Sequence, residues 1–167
     1  MYQATYVPLH NPGSSGLCLS ATHIVSCLEG LQLFDKSTGK WIWSFLPSGY
    51  LRKPALANDT IVFASEGVVF ADMMIMAVSE GGRHRELWRY RVPAPYTDYT
   101  ISADRVYLTS GWLDIADSNG LLAVLSLETG KEIWTATVED AVGLFPPTVT
   151  PDAVYVSGMN GVYKYGK

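Results

Sequence analysis

Four times along the chain, a short apolar run is followed by a brief polar turn and a second apolar run. The pairs are Leu17–Ser20 with Ile24–Cys27, Pro54–Ala57 with Ile61–Ala64, Tyr99–Ser102 with Val106–Thr109, and Pro147–Thr150 with Val154–Ser157. Asn58-Asp59, Ala103-Asp104 and Pro151-Asp152 mark three of the turns. Runs this short, rich in β-branched and aromatic residues and bounded by turn formers, predict paired strands, A and B. Turns ending in glycine follow at Glu29-Gly30, Asn119-Gly120 and Asn160-Gly161. They lead into a third strand, C, over Leu31–Phe34, Leu121–Leu127 and Val162–Tyr165. Met73–Val78 has a helix-compatible composition, but its alignment with Leu121–Leu127 predicts strand C of the second unit. A fourth strand, D, carries Trp43, Trp88 and Trp134, spaced 45 and 46 residues apart. A period in this range marks a solenoid, propeller or array. Four antiparallel strands per unit make a propeller blade.

The joint between C and D repeats almost word for word. Thr38-Gly39-Lys40-Trp41-Ile42-Trp43 reappears as Thr129-Gly130-Lys131-Glu132-Ile133-Trp134, and the second unit holds a longer version ending at Trp88. Glycine serves a turn that needs positive φ, and tryptophan offers a flat face to bury plus one N–H that requires an acceptor. The expected fold is therefore all-β: one domain over residues 1–167, a four-bladed β-propeller of four-stranded antiparallel blades near 17–45, 54–92, 99–138 and 147–167. The fourth unit shows no strand D. Tyr2–Val7 precedes the first strand A, so it is expected to supply the outer strand of blade four and close the ring. Closure would hide strand edges that otherwise template aggregation. Four blades of a larger propeller are the alternative.

Asp35-Lys36-Ser37-Thr38-Gly39-Lys40-Trp41-Ile42-Trp43 resembles the PQQ-like β-propeller repeats, whose blades run from strand C into Asp-x-x-Thr-Gly-x-x-x-Trp. Ser126 to Trp134 matches without the aspartate, the second unit matches poorly, and the fourth lacks the motif. The resemblance implies a propeller whose tryptophans pack between blades. It does not carry quinoprotein chemistry across. Enzymes of that family use adjacent cysteines and a defined cofactor and calcium set, whereas Cys18 and Cys27 are apart and no such set can be traced.

Composition narrows the function. The chain has 167 residues, 48% hydrophobic and 17% charged, with a formal charge of −4. That suits a folded core and lacks the basic stripe of a nucleic-acid binder. No apolar run reaches membrane-spanning length, and the start at Met1–Val7 has no signal-peptide pattern, so a cytoplasmic location is expected. The two cysteines read as small buried hydrophobes in neighbouring strands, with a disulfide as the minority alternative. No metal is expected, because two cysteines and scattered His10, His23 and His84 do not form a zinc set. Leu113–Gly120 lacks the ligand spacing of a calcium loop. No cofactor is expected.

Up-and-down blades put the A–B and C–D turns at one end and the B–C loops and D-to-A links at the other. The second set is long and variable, and variable loops on a rigid scaffold are where binding concentrates. The expected partner-binding residues there are Phe70, Asp72, Tyr96, Asp98, Trp112, Leu113, Asp114, Asp117, Asp140 and Phe145. Leu144 joins them as an apolar link residue. Aromatic anchors rimmed by acids suit a basic protein partner, through steering and through anchoring. The competing expectation is that these apolar groups fold back and plug the channel. The functional expectation is a non-enzymatic protein-binding module, in its narrowest form an inhibitor or immunity protein that masks a basic bacterial toxin. The alternatives are a fragment resembling the propeller lipoprotein of outer-membrane assembly, and a carbohydrate-active enzyme using Asp114 and Asp117 as paired acids.

Overall fold

The structure is a computed structural model and describes residues 16–27, 30–47, 50–66, 73–81, 83–92, 96–111, 119–139 and 144–166. Among them every regular element is a strand. Sheet one is β1 (Leu17–Leu19), β2 (His23–Cys27), β3 (Leu31–Asp35) and β4 (Trp41–Phe45), paired in that order. In sheet two, β5 (Tyr50–Leu51) and β6 (Ala55–Ala57) both pair with β7 (Thr60–Glu66), followed by β8 (Met73–Ser79) and β9 (Glu86–Val92). Sheet three is β10 (Tyr96–Ser102), β11 (Arg105–Gly111), β12 (Gly120–Ser126) and β13 (Glu132–Val138). Sheet four is β14 (Thr148–Val149), β15 (Ala153–Gly158) and β16 (Gly161–Gly166). All the pairings are antiparallel. Met73–Ser79 is strand, as the repeat alignment required.

Two boundaries differ from the sequence expectation. β10 begins at Tyr96, so Tyr96 and Asp98 belong to a strand and not to the link before it. The inner strand of sheet two breaks into β5 and β6, because Pro54 between them has no N–H to give the ladder. The closing strand expected from Tyr2–Val7 lies outside the described residues.

The sheets stack face to face in chain order. The inner strands touch in series, β1 with β6, β6 with β10, and β10 with β14. Side chains alternate across each strand, and each alternation feeds a different apolar layer. Ile61 and Phe63 pack with Val25, Leu31, Leu33 and Trp43 between sheets one and two. Val62 and Ala64 pack with Val106, Leu108 and Leu125 between sheets two and three. Tyr107, Leu122 and Val124 pack with Val154 and Val156 between sheets three and four. Burial on both faces is why β7 and β8 read as continuous apolar runs.

The turn end is built from one hydrogen-bond pattern used three times. Lys36 N–H donates to the Thr22 carbonyl, Glu80 to Asp59 and Leu127 to Asp104, all at 2.8 Å, tying each C–D turn to the A–B turn of its own sheet. Inside the turns, the Asp35 carboxylate accepts from Ser37 Oγ, Thr38 Oγ1 and Thr38 N–H at 2.7 Å. Those donors hold its carboxyl down at about 2. Ser126 Oγ accepts from Thr129 N–H and Ser79 Oγ from Arg85 N–H, so serine does the aspartate's work where the motif lacks it. Gly39 and Gly130 sit at φ +68° and +67°.

The tryptophans do not share one environment. Trp88 is buried, lies on Gly130 of the next sheet and donates its indole N–H to the Leu127 carbonyl at 2.7 Å. Trp43 is buried between sheets one and two, where the longer turn sets the His84 ring 5.4 Å from it. Its N–H has no partner among the described residues. At the same junction His23 Nδ1 meets the buried Glu80 Oε1 at 2.7 Å. Trp134, expected to be buried like the others, is 41% exposed and makes an edge contact with the Tyr165 ring, 5.7 Å away. Among the described residues, sheet four has no C–D turn comparable to the one that meets Trp88.

Candidate functional site

The end opposite the turns carries the candidate surface. Gly30 and Gly120, where strands C of sheets one and three begin, have no room for a Cβ. The atom would fall 2.4 Å from Leu46 Cδ2 and 2.5 Å from Leu144 Cδ1. These two D-to-A links thus lay a leucine against the glycine that opens strand C of their own sheet. Leu144 is buried there and belongs to the core between sheets three and four. This corrects its expected place on the binding face: the glycine leaves a hole that an aliphatic side chain fills.

Phe145 points the other way. Its N–H donates to the Ser157 carbonyl at 2.9 Å, and its carbonyl accepts from Thr109 Oγ1 at 2.9 Å, so its backbone is pinned between sheets three and four. Its ring is 53% exposed. Leu46 from sheet one's link and Met159 from sheet four's B–C turn are also exposed at this end. Asp98 is half-buried; burial raises its carboxyl above the usual range, opposed by the Tyr99 N–H and the charges of Arg52 and Lys53. Arg52 also reaches Glu66 at 3.2 Å. The charges near the inner strands are mixed, with Arg52 and Lys53 among the acids. Tyr96 pairs with Gly111 at the start of β10. Phe70, Asp72, Trp112, Leu113, Asp114, Asp117 and Asp140 lie outside the described residues.

Sequence reasoning missed Tyr99. From the inner strand of sheet three its hydroxyl donates to the carbonyls of Lys53 and Val62 (3.0 Å to the latter), bridging to sheet two. Burial pushes its phenol well above 10. Nothing in the local pattern separates this tyrosine from any strand aromatic. Tyr99→Phe is expected to cost about 1–2 kcal/mol, the penalty for stranding buried acceptors, in equilibrium urea unfolding. The pH dependence has a definite sign. The folded chain raises the Tyr99 phenol above its ordinary 10.0 and the Cys18 and Cys27 thiols from 9.0 to about 11 and about 12. Protons are then held more tightly in the folded state, so stability is full below pH 9 and falls as pH rises through these values. The fall should be shallower in the Tyr99→Phe variant.

The raised thiols also rule on chemistry. Cys27 is buried and Cys18 half-buried, both free and in neighbouring strands. They remain protonated at neutral pH and are poor nucleophiles. Among the described residues no cluster of three His, Cys, Asp or Glu could hold a metal. One cleft of about 260 Å³ opens between sheets three and four, lined by Arg105, Tyr107, Val124, Ile133, Trp134 and Val154. Among the described residues its walls are apolar and aromatic, with the Arg105 cation.

Known proteins place this architecture. Over 135 residues the chain is 27% identical to the serine/threonine-protein kinase AfsK of Streptomyces griseus, a match covering 80% of this chain and 16% of that protein. Its fold is similar to that of the computationally designed Ika8 protein, with TM-score 0.73 and 15% identity over 91% of this chain and 45% of that one. It is also similar to BamB from Moraxella catarrhalis, with TM-score 0.63 and 18% identity over 98% of this chain and 50% of that one. The chain thus spans about half the length of the solved chains it matches and about one sixth of the kinase. The four stacked antiparallel sheets are a β-propeller arrangement. Residues 31–165 match the family model described as outer membrane protein assembly factor BamB, and the chain belongs to this PQQ-type repeat family.

Proposed function

We propose that the chain is a protein-binding scaffold with no catalytic activity, which engages its partner through the end that carries the B–C loops and D-to-A links. The observation that carries this reading is the outward set of Leu46, Phe145 and Met159, contributed by different sheets at one end. Exposed apolar side chains on a pinned backbone lose little entropy when covered, and such anchors supply most of an interface's energy. Phe145 is the strongest of them, because its backbone is already held on both sides. Membership in a family named for an assembly factor supports an interaction role. The formal charge of −4 favours a basic partner, and the narrowest form of the proposal is an inhibitor that masks a basic toxin. A cytoplasmic site of action goes with that narrow form.

The test uses the immobilised chain to retain proteins from its source cells, identified by mass spectrometry. A true partner should be lost, at least tenfold, with Phe145→Ala, and should bind more weakly as salt rises. Phe145→Ala should leave thermal stability nearly unchanged. If no retained protein depends on Phe145, or if the variant acts only by unfolding the chain, the reading fails.

A further inference from the structure

Among the described residues, the outward faces of the two end sheets carry exposed apolar side chains, although Ser26 on the outward face of sheet one is buried. In sheet one, Val25 and Cys27 point toward sheet two, and so does Cys18, which pairs with Val25. Alternation then places Leu17 and Leu19, partners of Ser26 and Ile24, on the opposite face. They are 64% and 62% exposed. In sheet four, Val154 and Val156 point toward sheet three with their partners Tyr165 and Tyr163. Val162 and Lys164, partners of Ser157 and Tyr155, lie on the opposite face, and Val162 is 71% exposed.

These two faces are of mating kinds. Each of the three internal junctions joins the far face of one sheet to the near face of the next. The bare face of sheet four is a far face, and that of sheet one is a near face. Were they packed on each other, Leu17, Leu19 and Val162 would be covered as Val62 and Leu108 are. The similar solved chains show that this arrangement of sheets can extend further: this chain aligns over nearly all of itself with about half of each.

We propose that two copies of this chain associate head to tail, sheet four of each against sheet one of the other, to complete one propeller from two halves. A two-fold axis makes the two new junctions identical, so a single pair of complementary faces closes the ring and leaves no sheet face open. Leu17, Leu19 and Val162 become core. The inference is independent of what binds the loop end.

Sedimentation equilibrium of the full chain at micromolar concentration tests it. The expected mass is twice the 18.3 kDa of one chain. Leu17→Glu combined with Leu19→Glu, and separately Val162→Glu, should each lower the mass to that of one chain while the β-sheet circular dichroism signal persists. A wild-type mass of 18.3 kDa would overturn the proposal. A dimer unaffected by either set of substitutions would overturn it as well. Should the variants unfold, a tandem chain of two copies decides: it should sediment as one tandem unit and melt higher than the single chain. A tandem that pairs again, or gains no stability, counts against the proposal.

Discussion

Trp88→Ala should be among the most damaging single substitutions in the molecule, lowering stability by about 3–5 kcal/mol and the melting temperature by roughly 6–20 °C for a chain of this size. Trp88 is buried in the layer between sheets two and three, its ring covers Gly130, and its N–H satisfies the Leu127 carbonyl. Truncation opens a cavity in the middle of the stack and strands that carbonyl, and the surrounding strands are too tightly paired to collapse into the space. Trp88→Phe separates the two effects, keeping most of the volume while removing the donor, and should cost about 1–3 kcal/mol. Trp134→Ala is the internal contrast. That indole is 41% exposed, so its removal should cost about 1 kcal/mol. Urea denaturation of the three variants measures the series. Equal losses at Trp88 and Trp134 would mean that the junctions are equivalent and the burial difference is wrong.

Gly130→Ala should cost about 2–5 kcal/mol, whereas Gly39→Ala should cost only about 1–2 kcal/mol. Both glycines occupy the same Thr-Gly-Lys turn and nearly the same positive φ, so the left-handed strain, about 1–2 kcal/mol, is common to both. They differ in what lies above them. A Cβ on Gly130 would fall 2.5 Å from the Trp88 ring, while one on Gly39 would meet nothing within 4 Å. The excess at Gly130 is therefore the overpacking of one indole, about 1–3 kcal/mol. Combining Gly130→Ala with Trp88→Ala should cost less than the sum of the single losses, because the ring that clashes is gone. Additive losses would show that Trp88 and Gly130 are not in contact.

Much of the architecture was open to reading along the chain. The strand pairs, the placement of Met73–Ser79 in a sheet and the position of both turn sets follow from alternation and turn chemistry. These act over a few residues and repeat with the unit. Even the loss of aspartate from the later turns cost the pattern nothing, since Ser79 and Ser126 offer an oxygen at the same place. The candidate site was less legible. Leu144 and Phe145 are adjacent, apolar and in the same link, yet one fills the gap above Gly120 and the other faces solvent. Asp98 looked like a loop acid and is a half-buried strand residue beside Arg52 and Lys53.

By itself, the order of residues determined which segments become strands, how they turn back on one another and that the unit recurs, because backbone pairing and turn geometry are settled by near neighbours. Only the stacking of sheets decided which repeated tryptophan is buried, which link residue is a core plug, that the Tyr99 hydroxyl bridges two sheets, and that Leu17 and Val162 are left bare. A side chain's face is a local property. Whether anything covers that face depends on residues some forty positions away, or on another molecule.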